Sequence, residues 1–194
     1  MDIDKIHDEM RVLKRNGTYE NVSFDKILQR VKLIGENHCI KLGFSQLCMK
    51  VIDQLYDGIP TSLIDELMAE QCASLSTDHP DYGKLASALS ISNLHKNTLP
   101  NFYESMKKLW EFKDNHNQHS ALLDTKVWEI ICENKNYFEE IIDYNRDYLI
   151  DYFGYKTLER AYLMRINKII IERPAHLWLR VAIGIHHDKL EKIK

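Results

Sequence analysis

The sequence has little of what marks several common protein classes. It holds seven Gly and four Pro in 194 residues, without an internal repeat or low-complexity segment. Its four Cys form no C-x-x-C pair, which argues against a zinc ribbon or a thioredoxin-like motif. No apolar run reaches ~18 residues, and the segment Met1–Lys5 is acidic rather than signal-like. We therefore expect a cytoplasmic protein with neither a membrane span nor a secretory leader.

Charge of one sign is not concentrated anywhere in the chain. Residues 1–96 carry 11 basic and 14 acidic residues, and residues 97–194 carry 15 of each, for a net charge of −3. This balance argues against a broad nucleic-acid surface. Any phosphate site must therefore be local.

Recognised catalytic and metal motifs are also missing. The sequence contains no G-x-S-x-G, no G-x-x-x-x-G-K-[ST] and no G-x-G-x-x-G, and the adjacent His186 and His187 should point apart on a helix. We expect no metal site and no catalytic residue. Each Cys lies in or beside an apolar helical pattern, which predicts buried thiols at Cys39, Cys48, Cys72 and Cys132.

The apolar pattern predicts a mainly α protein. A helix at 24–37 precedes three more that begin near Ser45, Pro60 and Pro80, and these form a small antiparallel four-helix bundle. The pattern changes between about 97 and 105, so we divide the chain into domains 1–100 and 101–194. In the second domain we expect helices starting at Pro100 and Ser120, a helix from Lys156 to Arg165, a hairpin at Asn167-Lys168, and a last helix from Pro174.

A β-hairpin that runs directly into a helix is the most informative feature present. Asn16-Gly17 fits the two central positions of a type I′ turn, and the helix begins at Ser23 or Asp25. Strand alternation would send Lys14 and Arg15 to opposite faces. We expect the hairpin to lie across one end of the bundle as a cap. Two cations beside an uncapped helix N-terminus favour a phosphate site, although solvated cations on an edge strand would give the same pattern.

Two further positions have both a structural and a functional interpretation. Ser62 and Asp65 have capping-box spacing, so Asp65 is either an acid in the first turn of a helix or an acceptor for a ribose hydroxyl. Lys96, at the end of the fourth helix, either complements the helix dipole or contacts a phosphate.

Six motifs, taken in order, point to one family. They are Val12-Leu13-Lys14-Arg15-Asn16-Gly17, Phe24-Asp25-Lys26-Ile27, Thr77-Asp78-His79-Pro80-Asp81-Tyr82, Ser92-Asn93-Leu94-His95-Lys96, Tyr152-Phe153-Gly154-Tyr155-Lys156-Thr157-Leu158-Glu159-Arg160-Ala161-Tyr162 and Glu172-Arg173-Pro174-Ala175-His176. The set resembles the N-terminal quarter of class I ribonucleoside-diphosphate reductase large chains of the eukaryotic and viral type, which begins with the nucleotide-sensing ATP-cone.

The resemblance implies an allosteric site for ATP, the activator, or dATP, the inhibitor, together with Mg²⁺. The residues carried over are Lys14, Arg15, Glu20, Asn21, Val22, Ser23, Phe24, Asp25, Lys26, Thr61, Asp65 and Lys96. Cations would hold the phosphates, main-chain groups around Glu20 would read adenine, and Asp65 would hold the sugar. The family commonly has Thr-Thr where this chain has Pro60-Thr61, a change at the helix start beside Asp65.

The resemblance also implies partner proteins and the absence of catalytic activity in this chain alone. The family controls deoxyribonucleotide synthesis for DNA replication through large-subunit homo-oligomers and a radical-generating small subunit. Its catalytic cysteines lie in motifs that this chain lacks, so we expect the chain to be inactive alone, as a fragment or as a shortened product. One alternative is a stand-alone ATP-cone module that binds nucleotide and modulates reductase assembly. An ATP-cone transcription regulator is disfavoured, because the chain lacks a zinc ribbon and a basic surface.

Overall fold

Helices account for most of the protein in this computed structural model, which describes residues 10–187 and 189–193. The expected mainly α class is confirmed. The chain divides into two units: the residues up to Asn97 with Asp151–Tyr155 form the first, and Thr98–Ile150 with Lys156–Lys194 the second. The acidic segment at 1–5 lies outside the described residues. Across the described part, every helix is too short or too polar to cross a bilayer.

The first unit combines a small sheet with four described helices. Its elements are β1 (Arg11–Leu13), β2 (Tyr19–Asn21), α1 (Phe24–Asn37), α2 (Phe44–Ile52), β3 (Ile59–Pro60), α3 (Thr61–Ser74) and α4 (Pro80–Asn97). The strand order is β2-β1-β3, with β1 antiparallel to β2 and parallel to β3. The sequence predicted the hairpin and the helices but not β3, whose two residues are too few for a periodic signal.

Apolar residues at helical spacing bury the inner faces of this bundle. Val31 and Ile34 of α1 are buried, as are Ile64 and Met68 of α3. Leu89 of α4 is fully buried, and α3 and α4 pack against each other. Because β1 pairs with β3, the hairpin is fixed directly to the start of α3.

The first hairpin turn differs from the predicted type I′. Gly17 has φ +82°, whereas Asn16 is absent from the positive-φ residues of the described chain. The Gly17 N–H donates to the Lys14 carbonyl at 2.9 Å, and the Lys14 N–H donates to the Thr18 carbonyl at 2.8 Å. These bonds describe a three-residue loop that ends in a left-handed glycine. The Asn16 side chain instead accepts from the backbone N–H of Thr18 at 3.1 Å.

Several predicted helix starts are corrected by one or a few residues. Ser23 is the N-cap of α1 and accepts from the Lys26 N–H at 3.4 Å, so this helix start is not uncapped. The N-cap of α2 is Gly43 rather than Ser45. Pro60 precedes α3 without a side-chain cap bond, and Asp65 lies beyond the first turn, so the predicted capping box does not form.

The second unit is helical with one short hairpin. Its elements are α5 (Phe102–Trp110), α6 (Thr125–Glu133), α7 (Lys135–Ile141), a 3₁₀ helix (Tyr144–Leu149), α8 (Tyr152–Ala161, whose first turn is grouped with the first unit), β4 (Arg165–Ile166), β5 (Ile169–Ile170), α9 (Pro174–His186) and a 3₁₀ turn (Leu190–Lys192). Asn101 and Asp124, rather than Pro100 and Ser120, precede α5 and α6 as N-caps. The helix predicted from Lys156 to Arg165 is shifted four residues toward the N-terminus.

The second hairpin has the turn that was expected of the first. Asn167 and Lys168 both have positive φ, at 49° and 69°, and Ile166 pairs with Ile169. This is the backbone that a type I′ turn requires. The last helix begins at Pro174, as predicted, but it ends at His186, and His187 is its C-cap with φ 50°.

A buried acid and an aromatic stack organise the second unit. Glu172 is fully buried and accepts from Arg180 Nε at 2.5 Å and from the Met164 N–H at 2.9 Å. The rings of Trp110 and Trp128 stack with centroids 5.7 Å apart. The partners of Glu172 compensate for the cost of burying its carboxylate. The stacked rings remove apolar surface from water.

Candidate functional site

A cavity of about 510 Å³ lies within the first unit. Its walls come from the hairpin, the first two turns of α1, the first two turns of α3 and the end of α4. The lining residues are Val12, Lys14, Arg15, Asn16, Glu20, Asn21, Val22, Ser23, Lys26, Ile27, Arg30, Val31, Thr61, Ile64, Asp65, Met68 and Lys96. This volume lies in the range of small-molecule and cofactor pockets.

Most residues singled out in the sequence line this one cavity. They are Lys14, Arg15, Glu20, Asn21, Val22, Ser23, Lys26, Thr61, Asp65 and Lys96. Phe24 and Asp25, the first residues of α1, are not among the lining residues. Lys14 and Arg15 face the same cavity rather than opposite sides, because Arg15 belongs to the turn, where strand alternation does not apply.

Charge in the cavity is mainly positive. Five cationic side chains line it, against two carboxylates: Lys14, Arg15, Lys26, Arg30 and Lys96 oppose Glu20 and Asp65. Because the whole chain is net negative, this excess is a local property of the site. A concave surface with such an excess attracts anions.

Asp65 is the buried centre of the deeper charge cluster. Its carboxylate is 10% exposed and accepts from Arg15 Nη2 at 3.1 Å. Arg30 donates to both carboxylate oxygens, at 3.3 Å from Nε and 3.2 Å from Nη2. Arg30 also donates to Ser92 Oγ at 3.0 Å. Two guanidinium groups therefore fix this carboxylate at the cavity wall.

Arg15 is held by the end of α4 as well. Its Nε donates to Asn97 Oδ1 at 2.7 Å, and its Nη2 donates to Asn93 Oδ1 at 2.5 Å. The Asn93 side chain in turn donates to the Ser62 carbonyl at 3.0 Å. The turn of the hairpin, the start of α3 and the end of α4 are thus joined through one arginine.

Glu20 forms a second, more exposed cluster near the hairpin. Its two carboxylate oxygens form ion pairs with Lys14 and Lys26. The side chains of Lys14 and Lys26 are 45% and 67% exposed. Glu20 lies opposite Val12 in the β1–β2 register, so both side chains point to the same, cavity-lining face of the hairpin.

Lys96 lies near the Asp65 cluster but forms no ion pair with any described residue. Partial burial lowers the pKa of Lys96, Arg30 and Arg15 lower it further, and Asp65 opposes the change. An incoming anion would oppose all three lowering effects, so Lys96 is suited to contact a phosphate.

The remaining wall is apolar. Ile27 and Val31 of α1 face the cavity, together with Ile64 and Met68 of α3. A planar base buried against such a wall would gain from apolar contact, while its phosphates reach the cations. The combination of an apolar wall and a cationic end fits a nucleotide.

Arg30 is the main site residue that sequence reasoning missed. Its spacing from Ile27 places it on the cavity face of α1, but a lone Arg on an amphipathic helix usually marks a solvated edge. Its partner Asp65 is 35 residues away, so no local pattern connects the two. A helical-wheel comparison of Lys26, Ile27 and Arg30 is the one signal that places it beside the predicted site.

The sequence also gives expectations for possible metal ligands and for the cysteines. Residues 10–187 and 189–193 contain no group of three or more His, Cys, Asp or Glu positioned to hold a metal ion. Burial raises the pKa of Cys48 to about 11 and that of Cys72 to about 12. Cys39 and Cys132 are exposed, so the prediction of four buried thiols is wrong for these two.

The sequence matches two protein-family profiles. Residues 10–97 match the ATP cone domain, and residues 148–194 match the ribonucleotide reductase all-alpha domain. The cavity lies entirely within the first match.

Curated relatives agree with both matches. A ribonucleoside-diphosphate reductase large subunit from Dictyostelium discoideum is 45% identical over 94% of this chain and 22% of its own length. The large subunit of Arabidopsis thaliana is 41% identical over 95% of this chain and 23% of its own length. That of Variola virus is 42% identical over 91% of this chain and 23% of its own length.

This chain thus spans less than a quarter of the length of these relatives. The part that it spans is their N-terminal region, in which the ATP cone match precedes the all-alpha domain match. The chain belongs to the ribonucleoside-diphosphate reductase large-subunit family, as an N-terminal part that contains an ATP-cone.

Proposed function

We propose that this chain is an allosteric region that binds ATP or dATP in the cavity of its first unit. The observation that carries the proposal is the convergence of five cations and an apolar wall in one 510 Å³ cavity inside the ATP-cone match. The phosphates contact Lys14, Lys26 and Lys96. The base lies against the apolar wall beside the main chain of β2 and Val22.

Asp65 is the residue proposed to distinguish ATP from dATP. Its carboxylate lines the cavity, and two arginines fix its position. A carboxylate oxygen retains acceptor capacity beside a guanidinium contact, so it can accept from a ribose hydroxyl. ATP and dATP differ by one such hydroxyl, and this contact makes the site sensitive to the difference.

Protein ligands for Mg²⁺ do not form part of the proposal. Glu20 and Asp65 are the carboxylates in the cavity, and each is paired with two cations. The carboxylates of the cavity therefore do not fit a magnesium site held by protein ligands.

The regulatory role follows from the family. ATP would activate and dATP would inhibit reductase activity, through assembly of large subunits with one another and with a radical-generating small subunit. Such regulation is a coupling free energy between the nucleotide site and the assembly interfaces.

Isothermal titration calorimetry with ATP and dATP tests the proposal. We expect binding of both nucleotides in the ~micromolar range. Lys14→Ala and Lys96→Ala should each cost roughly 1.5–3 kcal/mol of binding free energy through lost charge-assisted bonds. Lys84→Ala is the matched control, because Lys84 lies on α4 with Lys96 but pairs with Asp81 outside the cavity. Absence of heat at millimolar nucleotide, with a folded chain, would contradict the proposal.

A further inference from the structure

The two carboxylates of the cavity are held in different ways. The side chain of Asp65 is 10% exposed and is bound by two guanidinium groups, one of them through both carboxylate oxygens. Glu20 is 26% exposed and is bound by two lysine ammonium groups on long, mobile stems. Exposed lysine ion pairs contribute little to stability, whereas bidentate arginine pairs are stronger and geometrically fixed. The Glu20 cluster is therefore the more easily separated.

Glu20 lies where a bound ligand could separate it from its two lysine partners. It shares the cavity-lining face of the hairpin with Val12. Its two partners are Lys14, which directly follows β1, and Lys26, which lies in the first turn of α1. Lys14 and Lys26 are two of the five cations available to an anion in the cavity. A phosphate that contacts both lysines must therefore replace Glu20 as their partner.

We propose that Glu20 is an internal competitor of the ligand phosphates. Its carboxylate occupies Lys14 and Lys26 until a nucleotide polyphosphate replaces it, and it weakens binding by the free energy of that exchange. A polyphosphate carries several negative charges and many acceptor oxygens, so it can satisfy both lysines. A neutral nucleoside cannot. Glu20 would thereby restrict the cavity to polyanionic ligands.

This inference rests on the proposed nucleotide binding, and it predicts that one substitution in the cavity increases the affinity for ATP. Substitutions of most other cavity residues should weaken ATP binding. Glu20→Gln should tighten it, by about tenfold, because the amide keeps the size of the side chain but releases both lysines. Adenosine lacks phosphates, so Glu20→Gln should change its affinity by less than about twofold.

The test is calorimetry of ATP and adenosine with the whole chain, in buffer containing EDTA, on the unchanged chain and four variants. Glu36→Gln is the matched control, because Glu36 is an exposed acid on α1 outside the cavity and its loss changes net charge equally. In a Lys14→Gln/Lys26→Gln background, the further change Glu20→Gln should give less than about a twofold gain, since the competed cations are gone. Thermal melting of each variant confirms that it is folded.

Each outcome decides a different point. Tighter ATP binding by Glu20→Gln, lost in the double-lysine background, supports the inference. ATP binding by the unchanged chain, with equal or weaker binding by Glu20→Gln, overturns the inference but leaves the proposed function standing. A gain with Glu36→Gln equal to that with Glu20→Gln also overturns it, because the effect would then be one of general charge. Absence of binding by both the unchanged chain and Glu20→Gln overturns the proposed function and the inference together.

Discussion

At the scale of single residues, Asp65 has a structural role and a proposed functional role, and one substitution can separate the two. Asp65→Asn removes the charge that opposes Arg15 and Arg30. Because breaking a largely buried ion pair is costly, we expect a loss of about 2–4 kcal/mol in the free energy of unfolding. This loss is larger than that expected for an exposed acid in the first turn of a helix, because Asp65 lies beyond the first turn and is paired with two arginines.

The same variant tests nucleotide discrimination. If Asp65 holds the sugar, Asp65→Asn should bring the affinities for ATP and dATP closer together, because a neutral acceptor makes a weaker bond than a carboxylate. The measurements are urea unfolding and the ratio of the two dissociation constants. A less stable protein with an unchanged ratio would leave Asp65 as a structural residue only.

Lys96 gives the site a dependence on pH. Because its pKa is lowered in the free protein and a bound phosphate favours the charged amine, nucleotide binding should take up protons at alkaline pH. ATP affinity is therefore fully present below the lowered pKa of Lys96 and falls as the pH rises through it.

Lys96→Arg is the control, because a guanidinium stays charged throughout this range. Calorimetry between pH 7 and about 10 should show a steeper loss of ATP affinity for the natural chain than for the variant. Parallel pH profiles would show that Lys96 is not the titrating group.

At the scale of elements, two helical glycines should respond oppositely to alanine. A Cβ at Gly35 in α1 would lie 2.5 Å from Cζ and 2.9 Å from Cε1 of the Phe44 ring in α2. A Cβ at Gly83 in α4 would meet Ser76 Cβ at 3.7 Å, an ordinary contact. Alanine usually stabilises a helix interior by roughly 0.5–1 kcal/mol.

We therefore expect Gly83→Ala to raise the free energy of unfolding by about 0.5–1 kcal/mol. Gly35→Ala should lower it by about 1–3 kcal/mol through overpacking against Phe44. Urea unfolding of both variants measures the difference. Equal stabilisation by both would mean that the Phe44 ring moves aside without cost.

The helices were the most predictable elements. Val31, Ile34, Met68 and Leu89 lie at the spacing of a buried helical face, and periodicity found all of their helices. The strand β3 escaped prediction because Ile59 and Pro60 precede a helix and form only two residues of sheet, whose pairing with Leu13 is a long-range contact. Local pattern carries no information on such pairings.

Sequence motifs pointed to several residues that line the cavity, but not to the contacts between them. Lys14, Lys26 and Lys96 were found from motifs, and they do line one cavity. The ion pairs that organise the cavity join Asp65 to Arg15 and Arg30, which lie 50 and 35 residues away in sequence. The turn at Asn16-Gly17 was assigned the wrong type because composition favours type I′, whereas the Asn16 side chain bonds to the Thr18 backbone instead.

At the scale of the whole molecule, a bound nucleotide should stabilise one unit selectively. At a concentration 100 times its dissociation constant, ATP should add about 2.7 kcal/mol to the stability of the binding unit. Hydrogen exchange should show the added protection in the hairpin and at the start of α1, around Thr61 and near Lys96. Protection confined to residues 102–141 would contradict the location of the site.

The stacked pair Trp110 and Trp128 has an optical consequence. The chain has three tryptophans, and all of them, including Trp178, belong to the second unit. No tryptophan is among the lining residues of the cavity, so quenching or enhancement by a directly contacting base is not expected. A change in tryptophan emission on adding ATP would therefore report a response in the second unit, and this natural fluorophore can be used without labelling to detect communication along the chain.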